Sequence, residues 1–337
     1  MDKNRKNRIA IISIISYYAR QIFDETKLYE FRKSPLRDEL LNKKIYVYSA
    51  KEDKAIIGYF KVSDILNGNT DEILRATGYD KRHDGHEIVA VDVATQFIDK
   101  RANRVACNLF EVTDPYEYFG CPDILLHMAW RNGFIHNASS HMEDLPAHYK
   151  FLQTMVDSKI KQIAVLGTMH EVGFFEGSIN ENTPTNPQSL YGIAKDALRK
   201  ATFLLTKNTQ TVVQWIRGFY IVGNTNFGSS IFSKISTAEK EGKETFPFTS
   251  GQNQWDFIDY SDFCDQVAAI VEQTAVAGII NACSGYPERL ATRVERFIQE
   301  NHYNIRLAYG TFPDRPYDSK AVWGDDKKIR RILQREE

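Results

Sequence analysis

Apolar residues recur along this chain in short runs, and the spacing between the runs changes near residue 85. Within the first 84 residues, the pattern predicts strands at 8–15, 44–49 and 55–62 and a short helix at 17–23. Later strands, predicted at 87–92, 124–129, 162–167 and 211–217, are separated by helical patterns of crossover length. This second rhythm is typical of a parallel sheet with helices on its faces.

The change of rhythm predicts two domains, with the boundary near 77–85. Residues 1–84 are expected to form a small α+β domain. Residues 85–337 are expected to form an α/β domain with a Rossmann-like, doubly wound parallel sheet and a C-terminal substrate-binding part. No repeat, low-complexity tract or Gly/Ser-rich linker separates the two.

Composition narrows the class of protein. The chain has 337 residues, of which 42% are hydrophobic, and this excludes a disordered, collagen-like or disulfide-stapled protein. The net charge of −1 demands no nucleic acid or anionic membrane as partner. Four dispersed cysteines without a C-x-x-C pair argue against a disulfide framework or a metal site. No apolar stretch reaches ~18 residues, so we expect a soluble, unprocessed, cytoplasmic protein without a membrane partner.

The strongest chemical signal is a tyrosine four residues before a lysine, Tyr191 and Lys195. On a helix both side chains lie on one face, so the ammonium is expected to lower the pKa of the phenol toward neutrality. Alone, this spacing is common and indicates only an exposed pair. An apolar strand ending near Thr168 strengthens the signal, because open parallel sheets bind their ligands at the carboxyl ends of strands. Thr168 could then hydrogen-bond the same substrate oxygen as Tyr191.

These elements occur in an order that resembles the extended short-chain dehydrogenase/reductase family, which contains NAD-dependent epimerases and dehydratases of nucleotide sugars. The resemblance covers residues 85–330. It implies a catalytic trio: Tyr191 as acid/base, Lys195 lowering its pKa and holding the nicotinamide ribose, and Thr168 positioning the substrate oxygen. Hydride would pass to or from the nicotinamide of NAD. A sugar or nucleotide-sugar substrate and a homodimer are the matching expectations.

The same resemblance implies further cofactor contacts. Asp92 ends a strand and is expected to hold the adenosine ribose, which favours NAD over NADP. Asn108 and Leu109 fall where the family contacts adenine. Ala129 and Trp130 follow the strand that passes beside the cofactor.

Two features depart from the family pattern. The sequence contains no G-x-x-G-x-x-G turn, whose glycines let backbone N–H groups approach the pyrophosphate, so the sheet is expected to lack its first βα unit. Trp255 stands where many relatives have an arginine that pairs with the substrate diphosphate. Arg315 is the remaining candidate for this contact. Alternatively, Arg315 is an ordinary surface arginine in a Pro-rich loop. The residue after Thr168 is not acidic, which favours a reductase or epimerase over a dehydratase.

The first segment resembles the ASCH family, whose small β-barrel-like domains are related to PUA RNA-binding modules. The matching residues are Lys27, Glu30 and Arg32 in a K-x-x-E-x-R pattern. Two cations and a carboxylate beside a cleft would suit the binding of a phosphate and a base edge of RNA. Alternatively, these three residues form a solvated, charged turn with no ligand. The strand at 87–93 could belong to either domain.

Three functions therefore remain open. The leading hypothesis is an NAD(P)-dependent oxidoreductase or epimerase that acts on a sugar or nucleotide-sugar. The second is an RNA-binding ASCH-like module attached to an inert, cofactor-deficient dehydrogenase remnant. The third is a fusion that keeps the catalytic residues but has no working cofactor site.

Overall fold

The computed structural model describes residues 10–14, 44–49, 55–61, 87–223, 230–314 and 319–333. The chain forms two compact units, Met1–Ile88 and Val89–Glu337. The assignment of 1–84 and 85–337 to an ASCH-like and a dehydrogenase domain stays a prediction, because compactness does not identify a family.

In the first unit the described residues form one three-stranded sheet. Strand β1 (Ala10–Ile14) pairs in parallel with β2 (Lys44–Ser49), which pairs antiparallel with β3 (Ala55–Lys61). All three strands lie where the apolar pattern predicts them. The helix predicted at 17–23 lies outside the described residues, as do the three residues of the proposed RNA site, Lys27, Glu30 and Arg32.

The second unit alternates strands and helices. Its strands are β4 (Val89–Asp92), β5 (Asn103–Ala106), β6 (Ile124–His127), β7 (Gln162–Thr168), β8 (Gly177–Ile179), β9 (Val212–Gly218), β10 (Tyr220–Val222), β11 (Thr245–Pro247), β12 (Gln254–Asp259), β13 (Gly278–Ala282), β14 (Pro287–Arg289), β15 (Arg306–Ala308) and β16 (Ala321–Gly324). Its helices are α1 (Pro115–Tyr118), α2 (Ser140–Asp157), α3 (Leu190–Thr206), α4 (Ile231–Lys240), α5 (Tyr260–Val271), α6 (Leu290–Glu300) and α7 (Lys327–Ile332).

The central sheet of this unit is parallel and has the order β13-β9-β7-β6. A second sheet of five strands has the order β10-β12-β16-β8, with β14 added antiparallel to β12. Strand β4 pairs in parallel with β5, so among the described residues the strand predicted at 87–92 belongs to the α/β unit and not to the N-terminal sheet.

Side chains alternate between the two faces of the central sheet, as strand geometry requires. Ile163 of β7 faces a core formed with α2 and α3, which includes Leu152 and Leu198. Its neighbour Ala164 faces the opposite core, formed with α5 and α7. Helices therefore cover both faces, which is the α/β Rossmann-like arrangement expected from the sequence. Within the described part of the chain, no helix combines the length and apolar character needed to cross a membrane.

We expect Leu198→Ala to lower the free energy of unfolding by about 2–5 kcal/mol, because it opens a cavity at a fully buried position of the core. Leu204→Ala on the same helix is the matched control, since Leu204 is 73% exposed and its truncation should change the stability little. Urea unfolding of the two variants measures the difference. Equal effects would contradict this account of the core.

Candidate active site

Thr168 ends strand β7 at the carboxyl edge of the central sheet, which is where the sequence predicts a hydroxyl. The chain turns there into a short 3-10 helix, Met169–Glu171, and the Thr168 hydroxyl accepts a hydrogen bond from the backbone N–H of His170 at 3.3 Å. The side chain of Glu171 accepts from the Thr168 backbone N–H at 2.8 Å, which completes a capping box. Both ends of the turn are thereby held in one geometry.

Helix α3 begins beside this turn and carries the predicted pair. Ser189 caps it by accepting from the Gly192 N–H at 3.2 Å. A Cβ at Gly192 would lie 2.5 Å from the carbonyl oxygen of His170, so the glycine allows the helix to approach the turn closely. Tyr191 and Lys195 then lie one turn apart on the helix, as their spacing predicts.

The Tyr191 hydroxyl lies close enough to the Thr168 side chain for that side chain to affect its pKa, so these two sequence-predicted groups lie together. Burial raises the pKa of Tyr191 to about 12, the neighbouring Thr168 side chain opposes this, and the charge of Glu171 adds to it. The expectation that Lys195 lowers this pKa toward neutrality is therefore wrong for the structure. Desolvation exceeds any stabilisation of the phenolate, because the lysine is directed elsewhere.

Lys195 is only 2% exposed. Its Nζ donates to the carbonyl oxygen of Leu166 at 2.6 Å and lies 4.0 Å from the ring centroid of Trp130, a cation–π contact. Burial lowers the pKa of Lys195 to about 7, and the negative charge of Glu171 opposes that shift. The amine is thus poised between its charged and neutral forms near neutral pH.

Trp130 connects the lysine to two histidines that sequence reasoning missed. Its indole stacks on His148 with ring centroids 4.4 Å apart, and its Nε1 donates to Nδ1 of His141 at 3.1 Å. His148 in turn shares a 2.9 Å hydrogen bond with His127 of β6. Burial lowers the pKa of His148 to about 4 and that of His127 well below its ordinary value, so both are neutral at pH 7.

Two more histidines lie beside Tyr191. The His136 ring stacks on the tyrosine with centroids 5.6 Å apart, and the His136 carbonyl accepts the Tyr191 N–H at 2.9 Å. His170 lies 4.6 Å from His136 and 6.1 Å from Tyr191 between ring centroids. Burial lowers the pKa of His170 to about 4. No spacing rule could have found this cluster, because His136, His170 and Tyr191 come from three separate segments.

Trp255 lies on β12 and is half-buried. It stacks on Tyr220 at 4.7 Å, and its Nε1 donates to the carbonyl oxygen of Ser319 at 3.1 Å. The Tyr220 ring also approaches His170, at 6.3 Å between centroids. An aromatic series thus extends from Tyr191 through His170 and Tyr220 to Trp255. Arg315, the other predicted substrate contact, lies outside the described residues.

The residues predicted to hold adenosine occupy the ends of β4 and β5. Asp92 is exposed, and one of its oxygens accepts from the Ala94 N–H at 2.8 Å. Asn108 caps a 3-10 turn: its side-chain oxygen accepts from Phe110 N–H and its amide donates to Glu111 at 2.9 Å. Leu109 packs against the core. Their cofactor contacts stay predictions, as does that of Ala129, which is half-buried after β6.

The buried lysine predicts a specific pH dependence of stability. Lys195 has a pKa of about 7 in the fold and is protonated up to its ordinary value of 10.5 when unfolded. Between these values the unfolded state binds more protons, so stability should rise with pH by at most ~1.4 kcal/mol per unit. Urea unfolding between about pH 7 and about pH 9 should show this rise relative to Lys195→Met. Parallel curves would contradict the lowered pKa.

A family model described as the NAD dependent epimerase/dehydratase family matches residues 79–283. The dTDP-6-deoxy-L-talose 4-dehydrogenase (NAD(+)) of Aggregatibacter actinomycetemcomitans is 46% identical to this chain over 203 residues. That match covers 60% of this chain and 75% of the relative.

Solved structures support the fold. A UDP-glucuronic acid 4-epimerase from Bacillus cereus, in complex with UDP-glucuronic acid and NAD, has a TM-score of 0.62 at 15% identity and covers 79% of this chain and 89% of its own. A UDP-N-acetylglucosamine 4-epimerase from Methanobrevibacter ruminantium M1, in complex with UDP-N-acetylmuramic acid, has a TM-score of 0.65 at 15% identity and covers 75% and 86%. At these identities the likeness concerns the fold alone.

The family model spans more than half of the chain, and the 46% identical relative is matched over three quarters of its length. The parallel sheet, covered by helices on both faces, agrees with that assignment. The chain is therefore an oxidoreductase of the NAD dependent epimerase/dehydratase family, with NAD as its cofactor.

Proposed function

We propose that this enzyme is a dehydrogenase that interconverts a hydroxyl and a keto group at carbon 4 of a deoxythymidine-diphosphate-linked 6-deoxyhexose. The observation that carries the proposal is the placement of Tyr191 beside Thr168 at the carboxyl edge of the sheet, with Lys195 one helical turn from the tyrosine. The 46% identity to a dTDP-6-deoxy-L-talose 4-dehydrogenase supports the choice of sugar and of ring position.

In this proposal, Thr168 and Tyr191 contact the reacting oxygen together. Their side chains lie side by side, so one substrate oxygen could hydrogen-bond to both hydroxyls. Tyr191 is the acid/base. With a pKa raised to about 12 it stays protonated at neutral pH, which suits donation of its proton to the more basic alkoxide that forms when a ketone is reduced.

Lys195 contributes charge and a hydrogen-bond donor. Its ammonium lies buried over the face of Trp130, where a positive charge interacts strongly with a developing anion. In the oxidation direction, Tyr191 must first lose its own proton, and the positive charge would favour the phenolate that then accepts the proton of the substrate hydroxyl. A neutral Lys195 would supply no such stabilisation, so the enzyme should work best when the amine is protonated.

We assign the two ribose groups of NAD to contacts with described residues. Lys195 would hold the nicotinamide ribose, Trp130 and Ala129 would border it, and the exposed carboxylate of Asp92 would accept from the adenosine ribose. NAD supplies the hydride acceptor or donor when it is bound. The sequence has no glycine-rich turn for the diphosphate, and the acidic residues Glu111, Asp114 and Glu117 line an open depression beside Asn108. We therefore expect NAD to bind weakly.

The sugar would lie along the aromatic series that leads from Tyr191 to Trp255. The half-buried His170 is neutral at pH 7 and can donate to or accept from a sugar hydroxyl. Trp255 cannot pair with a diphosphate as an arginine would, and it offers a flat apolar face instead. The RNA-binding hypothesis stays a prediction, since Lys27, Glu30 and Arg32 lie outside the described residues.

Tyr191→Phe removes the proton donor and keeps the ring, so turnover of dTDP-6-deoxy-L-talose should fall by roughly 10²–10⁴-fold. The binding of NAD should be nearly unchanged. The measurement is NADH absorbance during oxidation of the sugar, together with analysis of the sugar product. Tyr149→Phe, on the exposed face of α2, is the matched control and should retain full turnover.

The same assay separates the candidate reactions. A dehydrogenase accumulates one NADH for each keto sugar, whereas an epimerase forms an epimer without net NADH. Full activity of Tyr191→Phe would rule out the acid/base role, and no reaction of the wild type with any deoxythymidine-diphosphate hexose would rule out the proposed function.

The cofactor contact is tested by calorimetric titration with NAD(H) and NADP(H). We expect NAD(H) to bind more tightly than NADP(H), because the carboxylate of Asp92 repels a 2′-phosphate. Asp92→Ala should weaken the binding of NAD(H) and reduce the preference. An unchanged preference in this variant would exclude Asp92 from the ribose site.

A further inference from the structure

Glu171 is the one charged residue of the turn after β7, and its side chain is completely buried. Its Oε1 accepts from the backbone N–H of Thr168 and from Nε1 of Trp215, both at 2.8 Å. A Cβ at Gly167 would lie 2.6 Å from this oxygen and 2.1 Å from the indole nitrogen. The glycine therefore makes room for the carboxylate. A small apolar residue in place of Glu171 would leave the two buried N–H groups without an acceptor.

The second oxygen faces two guanidinium groups. Oε2 lies 3.4 Å from Nε of Arg199 and 3.7 Å from Nη2 of Arg217, and within the described residues it makes no hydrogen bond. Arg217 is fully buried and Arg199 nearly so. Removing these three charges from water costs free energy. Well-packed apolar residues in their place would often make the protein equally stable. The position of the carboxylate beneath the catalytic residues suggests a role beyond stability.

Two links connect Glu171 to the proposed chemistry. Through the Thr168 backbone it holds the residue whose hydroxyl contacts Tyr191. Through space its charge acts on both Lys195 and Tyr191 and raises the pKa of each. The other titratable groups that face Lys195 are His127 of β6 and His148 of α2, which burial keeps neutral. Glu171 is therefore the negative charge that the buried ammonium experiences among the described residues.

We propose that Glu171 is a positioning residue of this enzyme, whose carboxylate fixes Thr168 against Tyr191 and supplies the counter-charge for the buried ammonium of Lys195. The inference rests on the proposed function for its kinetic consequence alone. Its electrostatic part concerns the protein without substrate or cofactor.

Glu171→Gln tests the charge while preserving the shape and one acceptor oxygen. Without the negative charge, Lys195 should lose its proton at lower pH, with a midpoint about one pH unit below that of the wild type. The readout is the titration of lysine ¹³Cε signals by NMR, with Lys195 assigned by its loss in Lys195→Met. The high-pH limb of turnover should move in the same direction.

Asp196→Asn is the matched control. Asp196 pairs with Arg199 and Lys200 in the same buried charge cluster, yet it does not contact Thr168. Its loss should leave the Lys195 midpoint unchanged. An unchanged midpoint in Glu171→Gln, or equal shifts in both variants, would overturn the proposal.

Glu171→Asp separates the two roles and serves if Glu171→Gln does not fold. It keeps the charge but shortens the reach to Thr168, so the Lys195 midpoint should remain near that of the wild type while kcat falls more than KM changes. Wild-type kcat in this variant would contradict the positioning role. If the wild type oxidises no deoxythymidine-diphosphate sugar, the proposed function fails, and the NMR titration still decides whether Glu171 is the counter-charge.

Discussion

The carboxylate of Glu171 holds together the elements that form the site. It joins the turn after β7 to β9 through Trp215, and to α3 through Arg199. Because the group is completely buried, it has little freedom to reorient, and the residues that bind to it are held in place as well. Thr168 and Tyr191 meet at this junction, so the geometry of the reacting groups depends on an interaction inside the core.

Burial also sets the electrostatic state of the site. Desolvation favours the neutral form of four titratable groups there: it raises the pKa of Tyr191 and lowers those of Lys195, His148 and His170. A site of this kind holds few charges before the substrate enters. Each charge that remains acts through a medium of low dielectric constant, so a single carboxylate or ammonium has a large effect on its neighbours.

In the proposed placement of NAD, the two ends of the cofactor differ in the residues that surround them. The proposed nicotinamide end has a buried lysine, an indole beside it and two neighbouring hydroxyls. At the adenosine end, Asp92 is exposed and the amide of Asn108 is occupied in capping its own turn. The missing glycine motif lies between these ends in the family arrangement. The chain can therefore belong to the family and still bind NAD as weakly as we propose.

The sequence by itself determined the local structure. Short apolar runs predicted three strands of the central sheet, β6, β7 and β9, to within a few residues, since a parallel strand covered on both faces is apolar along its whole length. The fourth, β13, was not predicted. The four-residue spacing of Tyr191 and Lys195 placed them on one helical face. Both signals are local, because each depends only on the residues of one element.

Tertiary packing decided what those residues do. It directed Lys195 to Leu166 and Trp130, which reversed the shift expected for the pKa of Tyr191. Packing also brought His136 and His170 beside the tyrosine. Proximity between distant segments and the loss of water around a charge have no signature in sequence spacing, because both arise only when separate elements pack together.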